Sequence, residues 1–173
     1  IMVAMEHRGA CGCEANTGDG AGMLTGFPHE FLCQVIKEEH GIELPAEGKY
    51  GAGLVFLPTD EEQRNQCKAT VEQFIADHGQ RFIAWRPVPT NPTGADVGST
   101  ALSAMPHFEQ LIVAAADDLS GDDFERQLYI IRKRSSHQLR SSLSLSQAKL
   151  FYICSLSWKV MIYKGMLTTY QVV

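Results

Sequence analysis

Apolar residues recur at intervals of three and four in two parts of the chain, which is the spacing of a helix with one buried face. The stretch 28–40 has this spacing and is followed by Gly41, a natural helix stop. A second helix is predicted after Asp60, which forms a plausible capping pair with Gln63, and ends near Gly79. The apolar positions are Phe31, Leu32, Val35 and Ile36 in the first helix, and Cys67, Val71, Phe74 and Ile75 in the second.

A third helix is predicted from Asp122 or Asp123 to about Leu143, because its apolar residues fall roughly on one side. The β-branched pair within 127–133 leaves a strand there as an alternative. Residues 87–107 are rich in proline and glycine and are predicted to be a long irregular connection. Residues 1–7 are typical of the end of an apolar helix.

Short runs of β-branched and aromatic residues predict the strands of the chain. These strands are 23–27, 50–57, 81–86, 109–115, 150–157 and 160–167. The last two are predicted to form a hairpin around Trp158 and Lys159. From 50 to 157 the predicted order is strand, helix, strand, strand, helix, strand, which is the order of a ferredoxin-like βαββαβ unit.

Composition places the chain among ordinary globular proteins: 173 residues, 45% hydrophobic and 20% charged. We expect a single α+β domain over 1–173, truncated at both ends because Ile1 is no natural start and no tail follows the last strand. The net charge of −5 gives no basic field for nucleic acid or an anionic membrane. No apolar run is long enough to predict a transmembrane helix, and no secretory signal is evident.

One segment concentrates the candidate chemistry, the run EHRGACGCEANTGDGAGM at residues 6–23. Its glycines do not have dinucleotide-binding spacing and no strand precedes them, which argues against a phosphate loop. Cys11 and Cys13 with His7 lack the second ligand pair of a zinc site, so no metal is expected. A cysteine nucleophile with Arg8 nearby stays an alternative to small buried thiols, and the odd total of five cysteines favours reduced thiols.

The same segment resembles the amidotransferase domain of glutamate synthases, whose pattern is close to EHRGA-x-G followed by TGDGAG. The resemblance continues in order along the chain, at Pro28-His29, at Phe56-Leu57-Pro58, at Trp85-Arg86, at Phe124-Glu125-Arg126 and at Tyr163-Lys164-Gly165-Met166-Leu167. Residues 135–149, Trp158 and residues 169–173 fit the family pattern poorly.

The resemblance implies the αββα sandwich of the N-terminal-nucleophile hydrolases and a glutaminase that hydrolyses glutamine to glutamate and ammonia. In such enzymes an N-terminal cysteine attacks the side-chain amide, with its own α-amino group as base. The ammonia then serves the reductive amination of 2-oxoglutarate in other domains of the synthase. FMN and an iron–sulfur cluster are expected in those domains, and no cofactor is expected in this chain. The implied location is the cytoplasm, or the plastid in a photosynthetic eukaryote.

Within this chain the resemblance assigns only Arg8 and Gly9 to the lining of the glutamine site. The nucleophilic cysteine is expected upstream of Ile1, and the oxyanion-hole and substrate-gripping residues beyond Val173, so the isolated chain is expected to be inactive. Asp19 is expected to be a turn residue that bonds the backbone rather than a substrate ligand. A noncatalytic binding or regulatory module of the same fold remains the alternative function.

Overall fold

The computed structural model describes residues 4, 7, 9–10, 14–142 and 144–172. The helix end predicted for 1–7 falls largely outside these residues. The chain divides into two compact units. Unit 1 consists of Ile1–Leu24, Pro89–Met105 and Ile162–Val173, and unit 2 of Thr25–Val88 and Pro106–Met161.

The chain is a mixed α and β protein with two antiparallel sheets. Its helices are α1 (His29–His40), α2 (Glu61–Asp77), α3 (Ser99–Ser103) and α4 (Gly121–Arg140). Its strands are β1 (Ala21–Gly26), β2 (Tyr50–Leu57), β3 (Arg81–Pro87), β4 (His107–Ala114), β5 (Tyr152–Ile153) and β6 (Val160–Gly165). Short 3₁₀ turns occupy Ala148–Leu150 and Thr169–Gln171.

Unit 2 is built on a four-stranded sheet in the order β3-β4-β2-β5. β2 pairs with β4 along its whole length, from Tyr50 opposite Ala114 to Leu57 opposite His107. On its other side β2 pairs with β5, and an isolated bridge joins Ala52 to Ser157. β2 is therefore central and buried except at half-buried Phe56, which explains its nearly continuous apolar sequence.

The core of unit 2 lies between one face of this sheet and helices α2 and α4. Alternate strand residues point to opposite faces of a sheet, so Val55 and Leu57 of β2 enter this core while Leu54 and Phe56 do not. Cys67, Val71, Phe74 and Ile75 are the buried residues of α2, as predicted. The buried apolar residues of α4 are Phe124, Leu128, Ile131 and Leu139.

Helix α1 contacts the opposite face of the sheet. Arg86, which is almost fully buried, donates from Nε and Nη2 to both carboxylate oxygens of Glu39, at 2.9 and 2.7 Å. At the other end of α1, His29 Nδ1 lies 2.9 Å from the hydroxyl of buried Tyr50. Gly41 ends the helix at φ 67°, which confirms the predicted stop.

The predicted cap of α2 is confirmed in one of its two bonds. The Asp60 carboxylate accepts a hydrogen bond from the Gln63 backbone N–H at 2.9 Å. The Gln63 side chain does not return to Asp60, and Oε1 of Gln147 accepts from the Asp60 N–H instead, at 3.0 Å. Gln63 in turn accepts from the backbone N–H of Gln147. This exchange ties the segment after α4 to the start of α2.

Two predictions about α4 are wrong. The residue at the N-cap position of α4 is Ser120, not Asp122 or Asp123. Residues 127–133, for which a strand was the alternative, are helical throughout. Asp122 and Asp123 lie in the first turn, where a negative charge stabilises the helix by its interaction with the helix dipole. Asp122 also binds Lys159 Nζ at 2.6 Å. The irregular connection at 87–107 also contains one short helix, α3, which the prediction omitted.

The predicted hairpin around Trp158 and Lys159 is wrong, because β5 and β6 belong to different sheets. Ser157 is bound to β2 through its backbone, and its hydroxyl accepts hydrogen bonds from the N–H groups of Lys159 and Val160. The chain therefore turns away from the four-stranded sheet after Ser157, and β6 pairs with β1. Trp158 donates from Nε1 to the Gly121 carbonyl at 2.9 Å and so anchors the start of α4.

In the described part of the chain, no helix combines the length and the apolar character that a membrane crossing requires.

Candidate functional site

The first part of the site is the junction between residues 9–10 and the glycine loop. The Asp19 backbone N–H donates to the Ala10 carbonyl at 3.0 Å, and the Ala10 N–H donates to Asp19 Oδ1 at 3.1 Å. The expectation that Asp19 bonds the backbone is therefore confirmed. Gly9 is exposed beside this junction. Arg8, the other predicted site residue, lies outside the described residues.

The glycine loop packs closely on the segment that follows β6. A Cβ atom added to Gly18 would overlap the Leu167 carbonyl and would come within 2.6 Å of the Thr168 nitrogen. A Cβ atom at Gly22 would lie 2.7 Å from the Lys164 Cβ. Only glycine fits such close backbone approach. The TGDGAG and YKGML stretches, far apart in sequence, are thus brought together in unit 1.

The Glu14 carboxylate joins the glycine loop to the start of α3. Its Oε1 accepts from the Ser99 hydroxyl at 2.5 Å, and its Oε2 accepts from the Thr100 N–H at 3.0 Å and from the Thr17 hydroxyl at 2.7 Å. These bonds favour the ionised carboxylate, that of Ser99 most, and lower the pKa of Glu14 to about 2. Thr17 is buried in this contact, whereas Ser99 and Thr100 are exposed.

Further bonds fix the same two segments to each other. The Gly98 N–H donates to the Asn16 carbonyl at 3.0 Å, and a Cβ atom at Gly98 would overlap the Thr17 hydroxyl. The Gln171 amide donates to the Asn16 carbonyl at 3.0 Å and to the Asp96 carbonyl at 3.1 Å. Three stretches of unit 1, at 14–20, 96–100 and 167–171, therefore form one hydrogen-bonded cluster.

The family of the chain is decided by its agreement with a family model. The model for class-II glutamine amidotransferases matches residues 1–173. The chain belongs to the class-II glutamine amidotransferases. The two stretches that pack together in unit 1 are therefore parts of an amidotransferase domain.

Curated relatives of this amidotransferase chain are glutamate synthases, as the sequence resemblance predicted. It is 39% identical over 163 residues to the ferredoxin-dependent glutamate synthase, chloroplastic, of Oryza sativa subsp. japonica, covering 94% of this chain and 10% of that protein. It is 35% identical over 173 residues to the glutamate synthase [NADPH] large chain of Bacillus subtilis, covering 99% of this chain and 11% of that protein. The amidotransferase chain thus spans about a tenth of the length of these relatives.

Sequence reasoning missed several residues of the cluster, namely Glu14, Ser99, Thr100 and Gln171. Glu14 lies within the run at residues 6–23, but no pattern there distinguishes it from the neighbouring polar residues. A signal existed in Gly98-Ser99, since a glycine followed by serine often precedes a helix, but the proline-rich surroundings favoured a loop. Nothing local indicates that an acid at 14 would bind a turn at 99 and 100.

Acid titration of the amidotransferase chain tests the Glu14 contacts. Because the folded pKa of Glu14 is lowered to about 2 from 4.5, its stabilising effect is complete above pH 4.5 and is lost as the pH falls through about 2. Carbon-13 NMR of the Glu14 carboxyl should give a midpoint near 2. Ser99→Ala should raise that midpoint most, while Ser103→Ala, which removes a hydroxyl bonded to the Thr100 carbonyl, should not. A midpoint in the ordinary glutamate range would contradict the contacts.

The possible metal ligands and thiols of the amidotransferase chain form no cluster in its described part. Among the described residues, no three His, Cys, Asp or Glu side chains lie close enough together to hold a metal ion. Cys11 and Cys13 lie outside those residues, so the expected absence of zinc there stays a prediction. Cys33, Cys67 and Cys154 are not in disulfide bonds, and burial raises the pKa of Cys67 to about 11.

A separate open groove of about 790 Å³ lies in unit 2 beside the second half of α4. Two of the cationic side chains that line it, Arg134 and Arg140, have structural roles. Arg134 lies over the ring of Phe74, 5.1 Å from its centroid, and bonds to His78 at 3.1 Å. Arg140 donates to the Phe151 carbonyl at 3.1 Å. Cations are also favoured near the carboxyl end of a helix, so this groove gives no independent sign of a ligand.

Proposed function

We propose that this chain is the glutaminase segment of a glutamate synthase, which hydrolyses glutamine to glutamate and ammonia for the reductive amination of 2-oxoglutarate. The observation that carries the proposal is the packing of the TGDGAG loop on the YKGML segment at Gly18 and Leu167. Both stretches resemble glutamate synthases, and the curated relatives carry that name. The fit of the two backbones supports a shared role rather than two chance similarities.

The residues of this chain that we propose to line the glutamine site are Arg8 and Gly9. The nucleophilic cysteine is proposed to lie upstream of Ile1 in the longer protein. Arg8 is therefore not the reacting group, and its proposed role is electrostatic. A guanidinium beside a thiol and a substrate carboxylate favours both anions, and its planar fork suits a carboxylate. The paired bonds between Ala10 and Asp19 support this proposal, because they fix the backbone immediately after Arg8 and Gly9.

We propose the αββα sandwich of N-terminal-nucleophile hydrolases for the complete domain, of which 1–173 is one part. Phe56, Phe108 and Tyr152 support it. They form a half-buried aromatic row on the face of the sheet away from α2 and α4, with ring centroids 5.0 and 5.9 Å apart. A second sheet over this row would complete the burial of the three rings.

A ferredoxin-like unit within β2 to β5 is part of the same proposal. Helix α2 joins β2 to β3, and β4 lies between those two strands. Helix α4 follows β4 and leads to β5, and β2 lies between those two. Two interleaved βαβ crossovers of this kind make up a split βαβ unit.

The remaining machinery is proposed to reside in other domains of the parent synthase. FMN and an iron–sulfur cluster would carry electrons from a nicotinamide or ferredoxin to the reductive step there, and we assign no residue of this chain to either group. The partners of this segment are therefore glutamine and the other synthase domains, and its location is proposed to be the cytoplasm or a plastid.

The test is an assay of the full-length protein that contains this chain. Supplied with glutamine, 2-oxoglutarate and a reductant, the protein should consume one glutamine for each pair of glutamates formed. It should also form glutamate when ammonia replaces glutamine. Synthesis from ammonia without any use of glutamine would contradict the proposal and would favour a noncatalytic module of the same fold.

A further inference from the structure

Glu14 has a set of partners that its position in the sequence does not explain. One carboxylate accepts hydrogen bonds from its own turn, through Thr17, and from the start of α3, through Ser99 and Thr100. A side chain that only closed its turn would need Thr17 alone. The additional bonds join two stretches that are distant in the sequence.

The turn that Glu14 holds is continuous with the proposed glutamine-site segment. The Thr17 N–H donates to the Glu14 carbonyl at 3.1 Å, so the turn 14–17 is closed on itself as well as on α3. Two residues later, Asp19 forms its paired bonds with Ala10, which follows Gly9. Any shift of the turn is therefore transmitted through Asp19 to Ala10.

We propose that Glu14 is a positioning residue for glutamine binding, because it fixes the turn at 14–17 to the segment at 98–100. The proposal rests on the proposed glutaminase function. Glu14 itself does not touch the substrate. It acts by holding the backbone beside Gly9 in the geometry that the site requires, and a displacement of about 1 Å in such a support can cost up to about a hundredfold in rate.

The chemistry of the three donors predicts a graded response to substitution. Ser99 and Thr17 are hydroxyls, which can accept as well as donate, whereas the Thr100 N–H can only donate. In Glu14→Gln, the amide oxygen can therefore face Thr100 while its NH₂ group donates to the Ser99 hydroxyl. Glu14→Ala leaves all three donors without this acceptor. Glutamine is thus a conservative replacement here, and alanine is not.

The experiment measures glutamine-dependent and ammonia-dependent glutamate synthesis by the full-length protein. Glu14→Ala should raise the KM for glutamine about 10-fold or more and leave synthesis from ammonia unchanged. Glu14→Gln should stay within about threefold of the wild type, because each hydrogen bond keeps a partner. The matched control is Glu43→Ala, which removes an exposed carboxylate bound to Lys37 in unit 2 and should change neither activity.

Two further measurements test other aspects of the role: the pH profile separates positioning from proton transfer, and hydrogen exchange tests the attachment of residues 98–103. The lowered pKa keeps the Glu14 carboxylate ionised throughout the ordinary assay range, so Glu14→Gln should leave the shape of the pH profile unchanged. If Glu14 transferred a proton in the reaction, the same substitution would change that shape. Amide hydrogen exchange of residues 98–103 should be faster in Glu14→Ala than in the wild type. This exchange measurement does not depend on glutaminase activity.

The outcomes separate failure of this inference from failure of the proposed function. If the wild type uses glutamine but Glu14→Ala retains its KM, or loses both activities in parallel, the positioning role is wrong. If the wild type does not use glutamine at all, the proposed function is wrong, and with it the role in glutamine binding. Faster exchange in Glu14→Ala would then still assign Glu14 a purely structural role.

Discussion

Replacing Arg8 with alanine in the full-length protein is expected to reduce glutamine-dependent glutamate synthesis by about a hundredfold. The proposed role of the guanidinium is to favour the thiolate and the nearby glutamine carboxylate electrostatically, so its loss removes two favourable interactions. Synthesis from added ammonia bypasses this site and should be largely retained. Steady-state assays with each nitrogen source measure the difference directly.

Two controls make the Arg8 experiment specific. Arg8→Lys keeps the charge without the planar fork and should recover only part of the lost activity. Arg126→Ala, which removes an exposed arginine paired with Asp123, should leave both activities unchanged. The loss of a cation near the thiol should also move the acid limb of the glutamine reaction to higher pH. If Arg8→Ala keeps full glutamine-dependent activity with an unchanged pH profile, the site assignment is wrong.

The replacement of Gly53 with alanine is expected to destabilise unit 2 by about 3 kcal/mol. A Cβ atom at this position would overlap the Ser155 carbonyl oxygen and lie 2.8 Å from its carbon. The Ser155 backbone cannot easily move away, since its neighbours are bonded to β2. The Cys154 N–H donates to the Leu54 carbonyl at 2.9 Å, and Ser157 and Ala52 exchange two hydrogen bonds. Urea unfolding followed by tryptophan fluorescence reports on unit 2, which contains both Trp85 and Trp158.

The matched control for Gly53 is Gly26. A Cβ atom at Gly26 would meet no other atom within 4 Å, and its φ is not in the left-handed region. Gly26→Ala should therefore change the free energy of unfolding by no more than about 1 kcal/mol, through the entropy of the unfolded chain. Equal stability of the Gly26→Ala and Gly53→Ala proteins would show that the 154–157 segment is not fixed to β2 as described.

The helices of unit 2 were predictable because their apolar spacing and their end signals agree. Four buried residues at helical spacing and the Asp60 cap define α2, and the Gly41 stop defines the end of α1. The family was predictable for another reason, namely that the EHRGA and TGDGAG blocks are specific. Neither success required knowledge of contacts between distant residues.

Two of the failures involve such contacts. Residues 150–157 and 160–167 both have strand composition, but only the attachment of Ser157 to Ala52 determines that the chain leaves the sheet between them. A weak local signal existed, since Trp-Lys is a poor pair for a two-residue hairpin turn. The Glu14 cluster is a further example, because its acceptor and its donors at Ser99 and Thr100 meet only in the folded chain.

The central position of β2 has a consequence for the synthesis of the protein. The strand emerges early from the ribosome, whereas its neighbours β4 and β5 follow much later, with Val55 pairing with Ile153. Both edges of this apolar strand are unpaired until β4 is made, and one stays unpaired until β5 is made. Segments of this kind associate with other chains. Closure of such long loops also slows folding. The first strand of the sheet to be made is therefore the last to become fully paired, and its exposure during translation is the interval in which chaperones would be most useful.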